Sequence, residues 1–273
     1  MSFPRLLFGA SLLLVLAGCQ SDVPTSELPV EQVIAAKPDT RPATVKSMET
    51  ALGVDDYFEF AGVTYKLNLI FGGTPRFKGA ITQTGNMDRI RLEQTGETMV
   101  FDGKQVHIKT GGMLDTRSAR FNALTWPYFF SLPFKLADPG TQLEPMSNQT
   151  VDGVEFRRAK LTFSKGTGDA PDDWYILYFD AEDRLAAAAY IVTFGGKSME
   201  DALANAHAIR YLDYEEEGGI LFSRKWTFHD WSESEGWTKQ IGEAGVYDIS
   251  LLSEISQEVF AIPEGSIATG APQ

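Results

Sequence analysis

The chain has 273 residues and a formal charge of −13, with 24 Lys and Arg against 37 Asp and Glu. That acidic excess argues against nucleic acid, and against anionic headgroups, as partners held by charge. A single cysteine excludes an internal disulfide and any cysteine-rich metal centre.

At the N-terminus, Arg5 precedes the apolar run Leu6–Leu16. This run suits the core of a secretory signal and falls short of the ~20 residues that span a bilayer. Small residues follow, and Leu16-Ala17-Gly18-Cys19 resembles the lipobox of bacterial lipoproteins. The resemblance implies a signal peptide over residues 1–18, lipid attachment at Cys19, cleavage before it, and lipoprotein-processing enzymes as partners. More than one chain on that residue gives stable anchoring, where a single chain is marginal. Gln20 stands where an Asp would favour retention at the inner membrane. The expected location is therefore the outer membrane, facing the periplasm. Residues 19–42 hold Pro24, Pro29, Pro38 and Pro42 among small and polar residues, the composition of a flexible tether.

A single β-rich domain is expected over 43–263. A short helix is predicted at Ala43–Leu52, stopped by Gly53. Period-two alternation then dominates. Val63, Tyr65, Leu67, Leu69 and Phe71 share one face of a half-buried strand. Strands are predicted at Phe77–Gln83 and Asp88–Glu93, and at Thr98–Phe101 and Gln105–Lys109 around the hairpin signal Asp102-Gly103. Others follow at Val154–Phe163, Asp173–Asp180, Arg184–Phe194, Ala206–Tyr214, Ile220–His229, Trp237–Asp248 and Glu258–Ala261. Residues 264–273 read as a loose tail. About ten antiparallel strands in hairpin order make a large meander, which must twist and curl. The expected fold is mainly β with a few helices, a half-open barrel with one concave face to cover. The cover predicted for it is Thr116–Phe134, the most aromatic stretch of the chain. There Phe121, Leu124, Tyr128 and Leu132 recur at helical spacing, while Pro127 and Pro133 would kink or end a helix.

Three stretches carry a family resemblance: Phe129–Gly140, Gly166–Asp180 and Arg210-Tyr211-Leu212-Asp213-Tyr214. Together they resemble an uncharacterised, unknown-function family of secreted bacterial proteins and lipoproteins, over roughly 43–263. That family is similar in architecture to the LolA and LolB lipoprotein carriers. The resemblance implies a half-open antiparallel barrel whose concave side, capped by helices, holds acyl chains; no catalytic motif transfers with it.

Searching for chemistry returns little. His107, His207 and His229 fall on three separate predicted strands without metal-ligand spacing. Gly195-Gly196-Lys197-Ser198 lacks the earlier glycine of a phosphate loop, since Ile191 stands there. Asp169, Asp172 and Asp173 cluster in a Gly-rich loop and are the one calcium candidate, outside any EF-hand pattern. No cofactor is expected. Aromatic residues are the remaining signal, and alanines at 186–189 leave space in a strand for something to fill. Phe121, Leu124, Trp126, Tyr128, Phe129, Phe130, Trp226 and Phe228 are the expected lining of a cavity for a lipid or acyl ligand. Two alternatives stand beside this non-catalytic binder. One is an envelope hydrolase working through paired carboxylates, which need only spatial closeness. The other is a scaffold in an envelope complex.

Overall fold

A computed structural model describes residues 41–110 and 116–270. The expected signal peptide, Cys19 and nearly all of the expected tether lie outside these residues.

Helix α1 (Ala43–Leu52) forms where expected, burying Val45, Met48 and Leu52 along one face. Gly53 ends it in the left-handed conformation at φ 71°. A Cβ here would stand 2.7 Å from the Gly219 carbonyl oxygen, so both conformation and space require glycine. The short α2 (Val54–Tyr57) leads into β1 (Gly62–Phe71), β2 (Thr74–Thr84), β3 (Ile90–Gln94), β4 (Glu97–Phe101) and β5 (Val106–Thr110). Helix α3 (Thr116–Ser131) and a 3-10 turn (Leu132–Phe134) cross to a second run of strands: β6 (Thr141–Val151), β7 (Val154–Phe163), β8 (Tyr175–Phe179) and β9 (Leu185–Tyr190). After α4 (Met199–Ala204) come β10 (His207–Glu217), β11 (Ile220–Ser232) and β12 (Gly236–Leu252), then a 3-10 turn (Gln257–Phe260) and β13 (Ile267–Thr269).

All strands join one antiparallel sheet in the order β13-β5-β4-β3-β2-β1-β12-β11-β10-β9-β8-β7-β6. It consists of two meanders, β1–β5 and β6–β12, fused where β1 pairs with β12 along Gly62–Phe71. The sheet does not close into a barrel, and the half-open β architecture expected from sequence is the one found. Two segments differ from expectation. Glu258–Ala261, read as a strand, is a 3-10 turn, because the Ser256 hydroxyl accepts the Glu258 amide and starts a helical turn instead. The C-terminal segment, expected to be loose, returns to the sheet as Ile267–Thr269 pairs with Val106–Ile108. Strand β6 had no clear sequence signal. It is an edge strand, exposed along most of its length, with Pro145 where no inner neighbour needs an amide and a register shift between Met146 and Gln149.

The main core lies between α3 and the face of the sheet that carries Tyr65, Leu67, Ile209, Tyr211, Trp226 and Phe228. A second cluster covers the opposite face, where Phe156, Tyr178, Ala187, Ala189 and Trp237 pack together. The far end of the β11–β12 hairpin lies over it: the Trp231 indole donates to Tyr178 Oη at 2.9 Å, and the Trp237 ring stands 5.1 Å from Phe156. Small side chains on β9 make this approach possible. Ala187 and Ala189 serve that outer cluster, while Ala188 faces the main core.

Candidate functional site

Helix α3 presents two faces. Ala119, Ala123, Trp126 and Phe130 recur at spacings of three and four and are buried in the main core. Phe121, Leu124, Thr125 and Tyr128 form the other face and border a cavity of about 420 Å³. Of the four residues at helical spacing in the sequence, Phe121, Leu124 and Tyr128 lie on the cavity side of the helix, while Leu132 lies beyond it in the 3-10 turn and is buried in the main core. The C-terminal end of α3 is fixed by polar contacts. Tyr211 Oη donates to the Phe129 carbonyl at 2.9 Å, satisfying one of the acceptors that a helix end leaves open. Gln83, wholly buried on β2, donates to Ser131 Oγ and accepts from Tyr65 Oη.

The eight expected lining residues divide in two. Phe121, Leu124, Tyr128 and Phe129 border the cavity. Trp126, Phe130, Trp226 and Phe228 belong to the packed core. Phe130 stacks on Tyr65 with centroids 4.0 Å apart, and Phe228 stands 4.7 Å from Phe71 and 6.0 Å from Phe129. Phe130 and Trp226 also edge a smaller void of about 10 Å³, room for one water at most. The cavity wall is completed by residues that the sequence did not single out. Phe101 on β4 and Met87 stand on one side. Phe163, Tyr175 and Tyr190 from β7–β9, with Phe194, stand on the other.

Charged side chains ring the mouth. Arg120 grips Asp169 with two parallel hydrogen bonds, Nε to Oδ2 at 2.6 Å and Nη2 to Oδ1 at 2.9 Å. Arg120 Nη1 donates to the Lys104 carbonyl at 3.0 Å and the Thr269 carbonyl at 3.5 Å. Lys104 lies in the β4–β5 turn and Thr269 on β13, whereas Asp169 lies in the β7–β8 loop. One guanidinium thus ties together parts from opposite ends of the strand order across the open seam. Lys135 pairs with Asp138 and donates to the Asn86 carbonyl at 3.1 Å. Asp173 accepts from the amide and the hydroxyl of Thr193, each at 2.7 Å. Burial pushes its carboxyl above the usual range, against the lowering effect of those two bonds.

The three aspartates of the calcium candidate are therefore not brought together. Asp169 is held by Arg120, Asp173 by Thr193, and Asp172 is exposed. Among the described residues no three His, Cys, Asp or Glu side chains converge on a point that could hold a metal ion. The histidines are similarly separate. His107 Nε2 lies 2.8 Å from Asp102, and buried His229 bridges Thr227 Oγ1 and the Thr238 carbonyl at 2.9 Å each. His207 stands 3.7 Å from Asp230.

No family model matches the chain, and no curated protein matches it. Solved structures do. The chain is similar to a DUF1329 family protein from Desulfovibrio piger, with a TM-score of 0.51 and 10% identity over 81% of this chain and 98% of that one. It is also similar to a LolA superfamily protein from Nitrosomonas europaea, with a TM-score of 0.49 and 11% identity over 78% of this chain and 97% of that one. The open antiparallel β fold expected from the sequence is the fold found, and it is shared with the DUF1329 family protein. At such identities the likeness is one of fold.

Proposed function

We propose that this protein is an envelope lipoprotein, anchored through Cys19 at the outer membrane, that binds a lipid or acyl chain in the concavity of its sheet. The observation that carries this reading is the cavity of about 420 Å³ between α3 and the two meanders, apolar over most of its wall. That size and lining are those of a pocket for one small hydrophobic ligand. The half-open sheet supports it, because a sheet this broad encloses more volume than its own side chains fill. Binding is favoured over carboxylate hydrolysis by how the wall's acids are placed: Asp138 and Asp169 each face a cation, and Asp173 is engaged by Thr193. A general acid–base pair would need two carboxylates free to face one substrate.

Native mass spectrometry of the chain from residue 20 onward, purified from the periplasm, tests the binding. The expected result is a retained mass that extracts into organic solvent as lipid. A bare mass that stays bare after incubation with envelope lipids would sink the proposal. The anchor is tested separately. In cells fed labelled palmitate, the wild-type chain should take up label and fractionate with the outer membrane. Cys19→Ala should take up none.

A further inference from the structure

Three tyrosines of the cavity wall have rings packed among apolar neighbours and hydroxyls without a partner among the described residues. Tyr128 stands 5.8 Å from Tyr175, and Tyr175 stands 6.2 Å from Tyr190, centroid to centroid. Tyr175 and Tyr190 are 8% and 6% exposed. None of the three hydroxyls bonds to a described residue, in contrast to Tyr211, Tyr214 and Tyr178, whose hydroxyls each meet a partner. Nor are they among the hydroxyls sealed in protein, and all three residues border the cavity. Burial raises all three above the ordinary tyrosine range, so they are neutral donors at physiological pH. A donor in an apolar wall is costly to leave unmet.

The charges around these hydroxyls set what they can meet. Among the described residues the cavity wall holds two cations, Arg120 and Lys135, and three acids, Asp138, Asp169 and Asp173. Both cations are already paired, which leaves Asp173 as the acid without a cation in the wall. Beyond the wall, Asp172 and Lys197 act on Asp173 in opposite directions. An incoming carboxylate would meet neutral donors and an excess of negative charge, with no spare cation among the described residues.

We infer that the cavity takes an acyl ligand whose head is uncharged and accepts hydrogen bonds. An ester or amide carbonyl lodges among Tyr128, Tyr175 and Tyr190, and a carboxylate on the same chain is disfavoured. This rests on the binding reading above and specifies its ligand.

The test is competition against N-phenyl-1-naphthylamine, an apolar dye, on the mature chain made without its lipid. Monooleoylglycerol and oleate share one acyl chain and differ in the head. At pH 8 the ester should displace the dye with a Kd about tenfold or more below that of oleate. Tyr175→Phe, which removes a hydroxyl that bonds to no described residue, should weaken the ester about five- to tenfold and the dye by clearly less. Tyr128→Phe should act in the same direction. Oleate binding as tightly as the ester, or Tyr→Phe variants that bind the ester as the wild type does, would overturn this inference and leave the hydrophobic site standing. Dye displaced by neither amphiphile would also overturn it. Failure of dye and both amphiphiles to bind at all would remove the binding reading with it.

Discussion

Arg120→Ala is expected to cost about 3 kcal/mol of unfolding free energy, the scale of breaking a buried ion pair by removing one partner. Arg120 is 5% exposed, and its removal leaves the Asp169 carboxylate half-buried without its two hydrogen bonds. It also orphans the Lys104 and Thr269 carbonyls and takes a cation from above the Phe101 ring, 5.7 Å away. Arg120→Lys should recover only part of the loss, since one ammonium cannot reproduce the planar fork that spans four acceptors. Asp169→Asn should cost less, because a neutral amide still accepts from the guanidinium. Urea unfolding of the single variants and of the double variant measures the coupling, expected to exceed about 1 kcal/mol. A change within about 0.5 kcal/mol for Arg120→Ala would show that the seam is held elsewhere. Beyond stability, this residue joins the β4–β5 turn and β13 to the β7–β8 loop at the cavity mouth. The alanine variant should therefore release a bound lipid faster than the wild type even in buffer where both are fully folded.

Why that latch was invisible in the sequence is a matter of distance along the chain. Asp169, Lys104 and Thr269 are separated from Arg120 by 49, 16 and 149 positions. Nothing in local pattern links residues so far apart. The periodic elements were legible for the opposite reason. Strands such as Gly62–Phe71 and the helix Ala43–Leu52 each bury one face, and burial writes period two or period 3.6 directly into the residue types. Legibility failed where burial did. Strand β6 is exposed along most of its length and broken by a register shift, and β13 is only three residues long, so neither has a sustained alternation to read. The candidate site was half legible. The aromatic richness of 116–134 marked the helix, and helical spacing picked out its cavity face. Apolar character alone did not separate cavity from core: Trp126 and Phe228 look no different in sequence from Phe121. Tyr175 and Tyr190 were hidden in strands whose pattern accounts for a buried ring but says nothing about whether its hydroxyl has a partner.

That difference between core and cavity aromatics has a measurable consequence, the second large effect. Phe228→Ala is expected to lower stability by about 3–5 kcal/mol, through lost transfer energy and the void left behind. Phe228 is fully buried among Phe71 on β1 and Trp126 and Phe129 on α3, which those two elements hold in place. For a chain of this size the melting temperature should drop by on the order of 10 °C. Phe121→Ala removes a ring of the same kind from the other wall of α3. Phe121 is only partly buried and already borders open space, so no new closed void forms and the loss should stay near 1 kcal/mol. The two variants should exchange order when the readout is binding. Phe121→Ala strips apolar contact from a ligand in the cavity and should raise the Kd for a neutral acyl ligand several-fold. Phe228→Ala, measured well below its melting temperature, should leave that Kd close to the wild-type value. Thermal melts and dye displacement on the same two proteins decide the matter. If both variants lost stability and binding in proportion, the cavity would be no more than slack in a single core, and the division of α3 into a packing face and a binding face would not hold.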